Sequence, residues 1–240
     1  MSEYESFANP PVEEAIITMR LRPLDDPEAV ATRLFAAERK FYPSCEVIDP
    51  ELDPSASAGE AVDGVAYRLP SPNGREVIRI TERAFSFHRL RPYSGWDQFI
   101  RGARLAWRAF VRAASTDRVL SVELRYLNRF AIPEGVEEWN EYLRIYPALP
   151  RSLDRGLQNF MVSLNLVELG IPGEGTVTLV TLPRHDGTIP VILDVDVRAS
   201  AAFAAAEDED AMWRTLERLR AYKNQVFFDG LTERAKGLFR

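Results

Sequence analysis

Between residues 189 and 198 the chain alternates. Ile189, Val191, Leu193, Val195 and Val197 fall on one side of an extended backbone, with Asp194, Asp196 and Arg198 on the other. A strand of this kind has one apolar and one polar face, so it belongs in a sheet that is covered on one side only. The same period recurs near the start, where Ala15, Ile17, Met19 and Leu21 oppose Glu14, Thr18, Arg20 and Arg22. It recurs again over 119–132, with Leu120, Val122, Leu124, Tyr126, Phe130 and Ile132 on one face. Shorter strands are expected at about 64–70, 75–82 and 85–91, the first two joined by a hairpin at Ser71-Pro72-Asn73-Gly74. Two more are expected around Phe160 to Leu166 and around Val177 and Leu179.

The cover must come from helices. Asp25-Asp26-Pro27 is an N-terminal cap with proline in the first turn, followed by Val30, Leu34, Ala37 and Phe41 at helical spacing. The strongest helix spans about 95–114. Trp96, Phe99, Ile100, Ala103, Trp107, Phe110 and Val111 form one stripe and Arg101, Arg104, Arg108 and Arg112 the opposite row. A short helix is expected near Val136 to Ile145. A long terminal one carries Met212, Leu216, Leu219 and Val226 and breaks at Asp229-Gly230.

In chain order the elements read strand, helix, three strands, helix, and then the same again. The expected fold is α+β: a two-layer, curved antiparallel sheet with long helices packed on one face. No linker divides the chain, so residues 1–240 are expected to form one compact domain; the repeated order of elements leaves open either an internal duplication into 1–115 and 116–240 or a chance match.

Charge is distributed unevenly. Residues 1–74 carry 6 basic and 14 acidic side chains, residues 75–129 carry 12 against 5, and residues 130–240 carry 12 against 17. A single cysteine, Cys45, excludes an internal disulfide, and two distant histidines argue against a zinc site. The acidic N-terminus is unlike a secretory signal and no apolar run is long enough to span a bilayer, so a cytoplasmic location without membrane attachment is expected. Residues 49–64, acidic and rich in small residues, proline and glycine, are expected to form an exposed loop.

Phosphate-binding, dinucleotide-binding, nucleophile-elbow and metalloprotease motifs are absent, and no cofactor is implied. Gly170 to Gly175 is glycine-rich but precedes a strand, which suits a hairpin turn. Asp194 and Asp196 share a strand face and are weak metal candidates, with a salt-bridged surface as the ordinary alternative. The arginine row continues onto the next strand as Arg125 and Arg129. Such a patch suits a protein partner, a second copy of the chain or a polyanion. The acidic segments 49–63 and 207–210 are equally able to pair with it. Asn128, on an apolar strand face, needs hydrogen-bonding partners within the fold. His88 has no orienting carboxylate in view and is expected to be structural.

Several segments carry a resemblance: Asn9-Pro10-Pro11-Val12 with Glu14-Ala15, Tyr93-x-x-Trp96-x-x-Phe99, Arg125-Tyr126-Leu127-Asn128-Arg129, and Phe227-Phe228 with Leu231-Thr232-Glu233. Together they resemble a sporadically distributed family of uncharacterised prokaryotic proteins of about this length. The resemblance implies no activity and transfers no catalytic residue, and a patchy distribution suits accessory or defence-linked genes. The sequence is therefore read as that of a non-enzymatic binding or interaction protein, with self-association as a homodimer one form of it. Its expected partner surface comprises Arg101, Arg104, Arg108, Arg112, Arg125 and Arg129. Two alternatives stand beside it. One is nucleic-acid association through the same arginines; the other is a small-molecule-binding protein or enzyme with a pocket between sheet and helices.

Overall fold

The computed structural model of the protein describes residues 4–48, 65–135, 138–150, 158–167, 170 and 172–240. Its framework is one open antiparallel sheet of ten strands. The strands are β1 (Val12–Leu21), β2 (Glu46–Ile48), β3 (Ala66–Pro70), β4 (Glu76–Ile80), β5 (Ala84–Leu90), β6 (Arg118–Pro133), β7 (Met161–Leu166), β8 (Gly173–Thr181), β9 (Thr188–Ala199) and β10 (Phe203–Ala204). They are ordered β2-β3-β4-β5-β1-β6-β9-β8-β7, with β10 paired to one end of β6. Strands β1 and β6 thus lie side by side in the middle. Each pairs on its outer edge with the last strand of the meander that follows it in sequence, β5 or β9.

Helices α1 (Pro27–Glu38), α2 (Trp96–Ala114), α3 (Glu209–Gly230) and the short α4 (Glu233–Lys236) pack into one core with the sheet. The Asp26 carboxylate caps α1 by accepting from the Ala29 amide at 2.8 Å, as the acidic start of that segment predicts. Along α2 the buried stripe is Trp96, Phe99, Ala103, Ala106, Trp107, Ala109, Phe110 and Ala113. It meets Phe85 and Phe87 of β5 through edge-to-face, tilted and stacked rings. Against β6 and β9, α3 buries Met212, Trp213, Leu216, Leu219 and Phe227. The inward row of β9, Ile189 to Val197, is fully buried.

Three local expectations change. Only a 3-10 turn, Trp139–Glu141, stands where a helix was expected near Val136 to Ile145, and positions 136 and 137 lie outside the described residues. The chain there is committed to the end of α3: Leu143 bridges Leu231, and the Arg144 amide donates to the Gly230 carbonyl. Leu120 points outward while Val119 and Val122 are buried, because the β1–β6 ladder shifts register at Arg20 and Leu21. Gly173 and Gly175 belong to β8 rather than to a turn. A β-carbon on Gly173 would overlap the Arg198 carbonyl oxygen of β9. The expected loop 49–64 lies outside the described residues.

The face of the sheet away from the helices is polar but far from fully wet. Glu123 is 4% exposed, and Arg20 donates to it at 3.1 and 3.2 Å. Arg198 approaches it within 2.5 Å. Among the described residues no helix is long and apolar enough to cross a membrane.

Candidate functional site

Four segments that are distant in sequence converge on a cavity of about 370 Å³. The chain before β1, residues 4–11, lies across it as a strap. Phe7 packs against Phe227, Phe228 and Phe239, Tyr4 stacks on Phe228 with ring centroids 4.7 Å apart, and the Asn9 amide donates to the Phe239 carbonyl. Pro10 and Pro11 keep this entry extended. The loop between β5 and α2 supplies Tyr93 and Trp96, β6 supplies Tyr126 and Asn128, and α3 supplies Arg220, Lys223 and Asn224.

The polar groups here are few and mostly held in place. Tyr93 and Tyr126 share a hydrogen bond of 2.6 Å between their hydroxyls, and their rings cross edge to face. Burial pushes the Tyr93 phenol up to about 12 and the Tyr126 phenol well above its ordinary value, so both remain protonated donors at neutral pH. Asn128 is satisfied by backbone as its position demands: its amide donates to the carbonyls of Tyr126 at 3.2 Å and Leu193 at 3.0 Å. Arg220 lies over the Trp96 ring at 5.0 Å, and Glu217 accepts from the Trp96 indole at 2.7 Å and from Arg220 at 3.3 Å.

Lys223 is the exception. It occupies the buried stripe of α3 between Leu219 and Phe227 and is 8% exposed. Its Nζ sits 3.8 Å from the centroid of the Tyr126 ring. Among the described residues no carboxylate or carbonyl accepts from it. Burial, assisted by the neighbouring Arg220 charge, lowers its pKa from 10.5 to about 7. At neutral pH the amine is thus divided between charged and neutral forms. Sequence reasoning misses this position, because the apolar residues of α3 define the stripe without it. The available signal is compositional: of 30 basic residues only Lys40, Lys223 and Lys236 are lysine, and residue 223 falls four after Leu219 and four before Phe227.

The arginine row sits on the exposed side of α2, and much of it is engaged within the chain. Arg104 lies over the Trp213 ring at 5.2 Å, Arg108 pairs with Glu209 at 3.0 Å, and Arg112 reaches Glu38 at 3.7 Å. Glu209 belongs to the acidic segment 207–210 that the sequence offers as a partner. Arg101 and Arg129 are exposed. Arg125 grips Asp194 with two nitrogens, the shortest contact being 2.6 Å. Asp196 lies on the same face, where burial and then Glu123 raise its carboxyl to about 7. No cluster of three potential metal ligands exists among the described residues.

His88 does have an orienting carboxylate, contrary to expectation. Its Nδ1 is 2.8 Å from Glu14 of β1, and its Nε2 is 2.8 Å from the Ser86 hydroxyl. The order of groups is that of an acid-base relay to a nucleophile. Yet Ser86 and His88 are 8% and 4% exposed, and β5 is an interior strand whose ladders to β1 and β4 take up its amides. Among the described residues, the strands flanking Ser86 therefore leave no backbone donors of β5 free to receive an oxyanion. The trio is a hydrogen-bonded brace between β1 and β5. The sequence matches no protein-family model and no curated protein.

Proposed function

We propose that the protein binds a small molecule in the cavity between the sheet and α3, closed over by the strap of residues 4–11. One observation carries this: two tyrosine hydroxyls and a lysine with no carboxylate partner among the described residues, set among aromatic rings in the lining of a cavity of about 370 Å³. Ligand sites have this composition, a largely apolar lining with a few fixed polar groups, and this order of size. The segments on which the family resemblance rests support the same assignment. Asn9-Pro10-Pro11, Tyr93 with Trp96, Tyr126 with Asn128, and Phe227-Phe228 all meet at this one place, either lining the cavity or holding its strap.

The purified protein would be equilibrated with a small-molecule extract, desalted and denatured, and the released compounds identified by mass spectrometry. An Ala8→Trp variant, which places an indole at the mouth, serves as the control. A compound retained by the unaltered protein and lost from this variant at unchanged thermal stability supports ligand binding. Retention of nothing, or equal retention by both, refutes it.

A second reading, contact with another protein through the arginine face of α2, is favoured by a groove of about 700 Å³ beside that helix. Phe41 and Leu105 stand 59% and 64% exposed there, next to Arg108 and Arg112. Exposed apolar groups rimmed by charge are a common interface composition. Phe41→Ser with Leu105→Ser should release a captured partner without altering ligand retention. An unchanged capture would refute it.

A further inference from the structure

We propose that the ligand carries a carboxylate and that Lys223 is its counter-ion. This rests on the ligand-binding function proposed above and adds the chemical class.

Buried charges in folded proteins are paired, because an isolated ion inside the protein forfeits its hydration with nothing in exchange. Lys223 is nine-tenths buried and lacks an anion among the described residues. The charged groups around it are already engaged. On its own helix, Glu217 is taken by the Trp96 indole and by Arg220. On the strap, Glu5 accepts two hydrogen bonds from Arg240 at 2.8 and 2.9 Å. Among the described residues of β6 and the β5–α2 loop that line the cavity with the lysine, the ionisable groups are the neutral phenols of Tyr126 and Tyr93. The described residues thus offer it no anion, and the cavity onto which it opens gives one a route from outside.

The surroundings narrow its class. With Arg220 balanced by Glu217, a protonated Lys223 leaves the cavity with one unmatched positive charge, which suits a monoanion better than a phosphate dianion. Trp96, Phe7, Phe227 and Tyr4 provide walls for an apolar or aromatic body. Lysine in place of the arginine that dominates this chain is itself informative. A guanidinium cannot lose its proton, whereas an amine can stay neutral in an empty cavity and take up a proton together with the anion.

The probe is phenylacetate, compared with phenylacetamide, which has the same body and shape without the charge. Both would be titrated into the full chain at pH 6.5 and followed by NMR of ¹³C-labelled tyrosines, which reports on Tyr93 and Tyr126. The acid should bind roughly tenfold to a hundredfold more tightly than the amide, the scale of one charge-assisted hydrogen bond. In Lys223→Met that preference should disappear while amide binding persists. Equal affinities in the unaltered protein, or a preference for the acid that survives in Lys223→Met, would overturn the carboxylate assignment and leave ligand binding standing. Absence of binding by both compounds would overturn the two together.

Discussion

Replacing Lys223 with methionine should stabilise the protein, and by an amount that shrinks as the pH rises. The native pKa of about 7 lies below the ordinary value of 10.5. Below pH 7 both folded and unfolded chains hold the proton, and the native state bears the full cost of burying a charge. At roughly 1.4 kcal/mol per pH unit this is about 5 kcal/mol. Between 7 and 10.5 the native amine is neutral while the unfolded chain still binds its proton, so stability rises with pH, and by pH 9 about 2 kcal/mol of the cost remains. Above 10.5 both forms are neutral and the difference vanishes. Methionine matches the length of the lysine stem and carries no charge, but it gives up the contact that the charged amine makes with the Tyr126 ring, worth about 1–2 kcal/mol in a dry site and only while the proton is held. The expected net effect is a gain of about 3 kcal/mol at pH 6 and about 2 kcal/mol at pH 9, falling to none above pH 10.5. Urea unfolding of both proteins at pH 6, 7.5 and 9 reads this directly. A difference that does not change with pH, or a variant less stable at pH 6, would refute the burial of an unpaired lysine. A gain in stability from losing a polar group is the mark of a residue kept for function.

Three further outcomes test other parts of the structure. Glu123→Gln leaves Arg20 and Arg198 without their shared carboxylate and should cost about 2 kcal/mol, below the range for fully buried pairs because both arginines reach water; chemical denaturation measures it. Asp196, whose carboxyl is raised from 3.8 to about 7, holds its proton in the folded chain where the unfolded chain has lost it. Stability therefore falls as pH rises from about 4 to 7, and Asp196→Asn should raise the melting temperature more at pH 8 than at pH 4, the reverse trend marking an ionised, paired carboxylate. Ser86→Ala should cost about 1 kcal/mol through the lost bond to His88, and the intact protein should resist a fluorophosphonate probe; labelling at Ser86 would contradict the brace.

Much of the frame is legible in the sequence. Period-two alternation in β1, β6 and β9 sets which side chains face inward, because a strand with one apolar edge has only one way to bury it. The α2 stripe and the Asp26 cap follow from local rules of the same kind. Local pattern misleads where long-range pairing overrides it. The bridge from Leu143 to Leu231 replaces a helix by a short turn, a register shift turns Leu120 outward, and close approach to β9 explains glycines that resemble a turn.

The cavity has no comparable signature. Tyr93, Trp96 and Asn128 each read as separate structural anchors, and Lys223 looks like one more polar residue on a long helix. Their meeting depends on β1 pairing with β6 in the centre of the sheet, which brings the strap before β1 against the end of α3 and seats Tyr126 between them. Local sequence determined which faces were apolar, since that is a matter of spacing along a single element. Only the tertiary structure decided that one lysine on such a face would be enclosed with two tyrosines and without a carboxylate among the described residues. Burial and the absence of a counter-ion are properties of everything packed around a residue and of nothing in its immediate sequence.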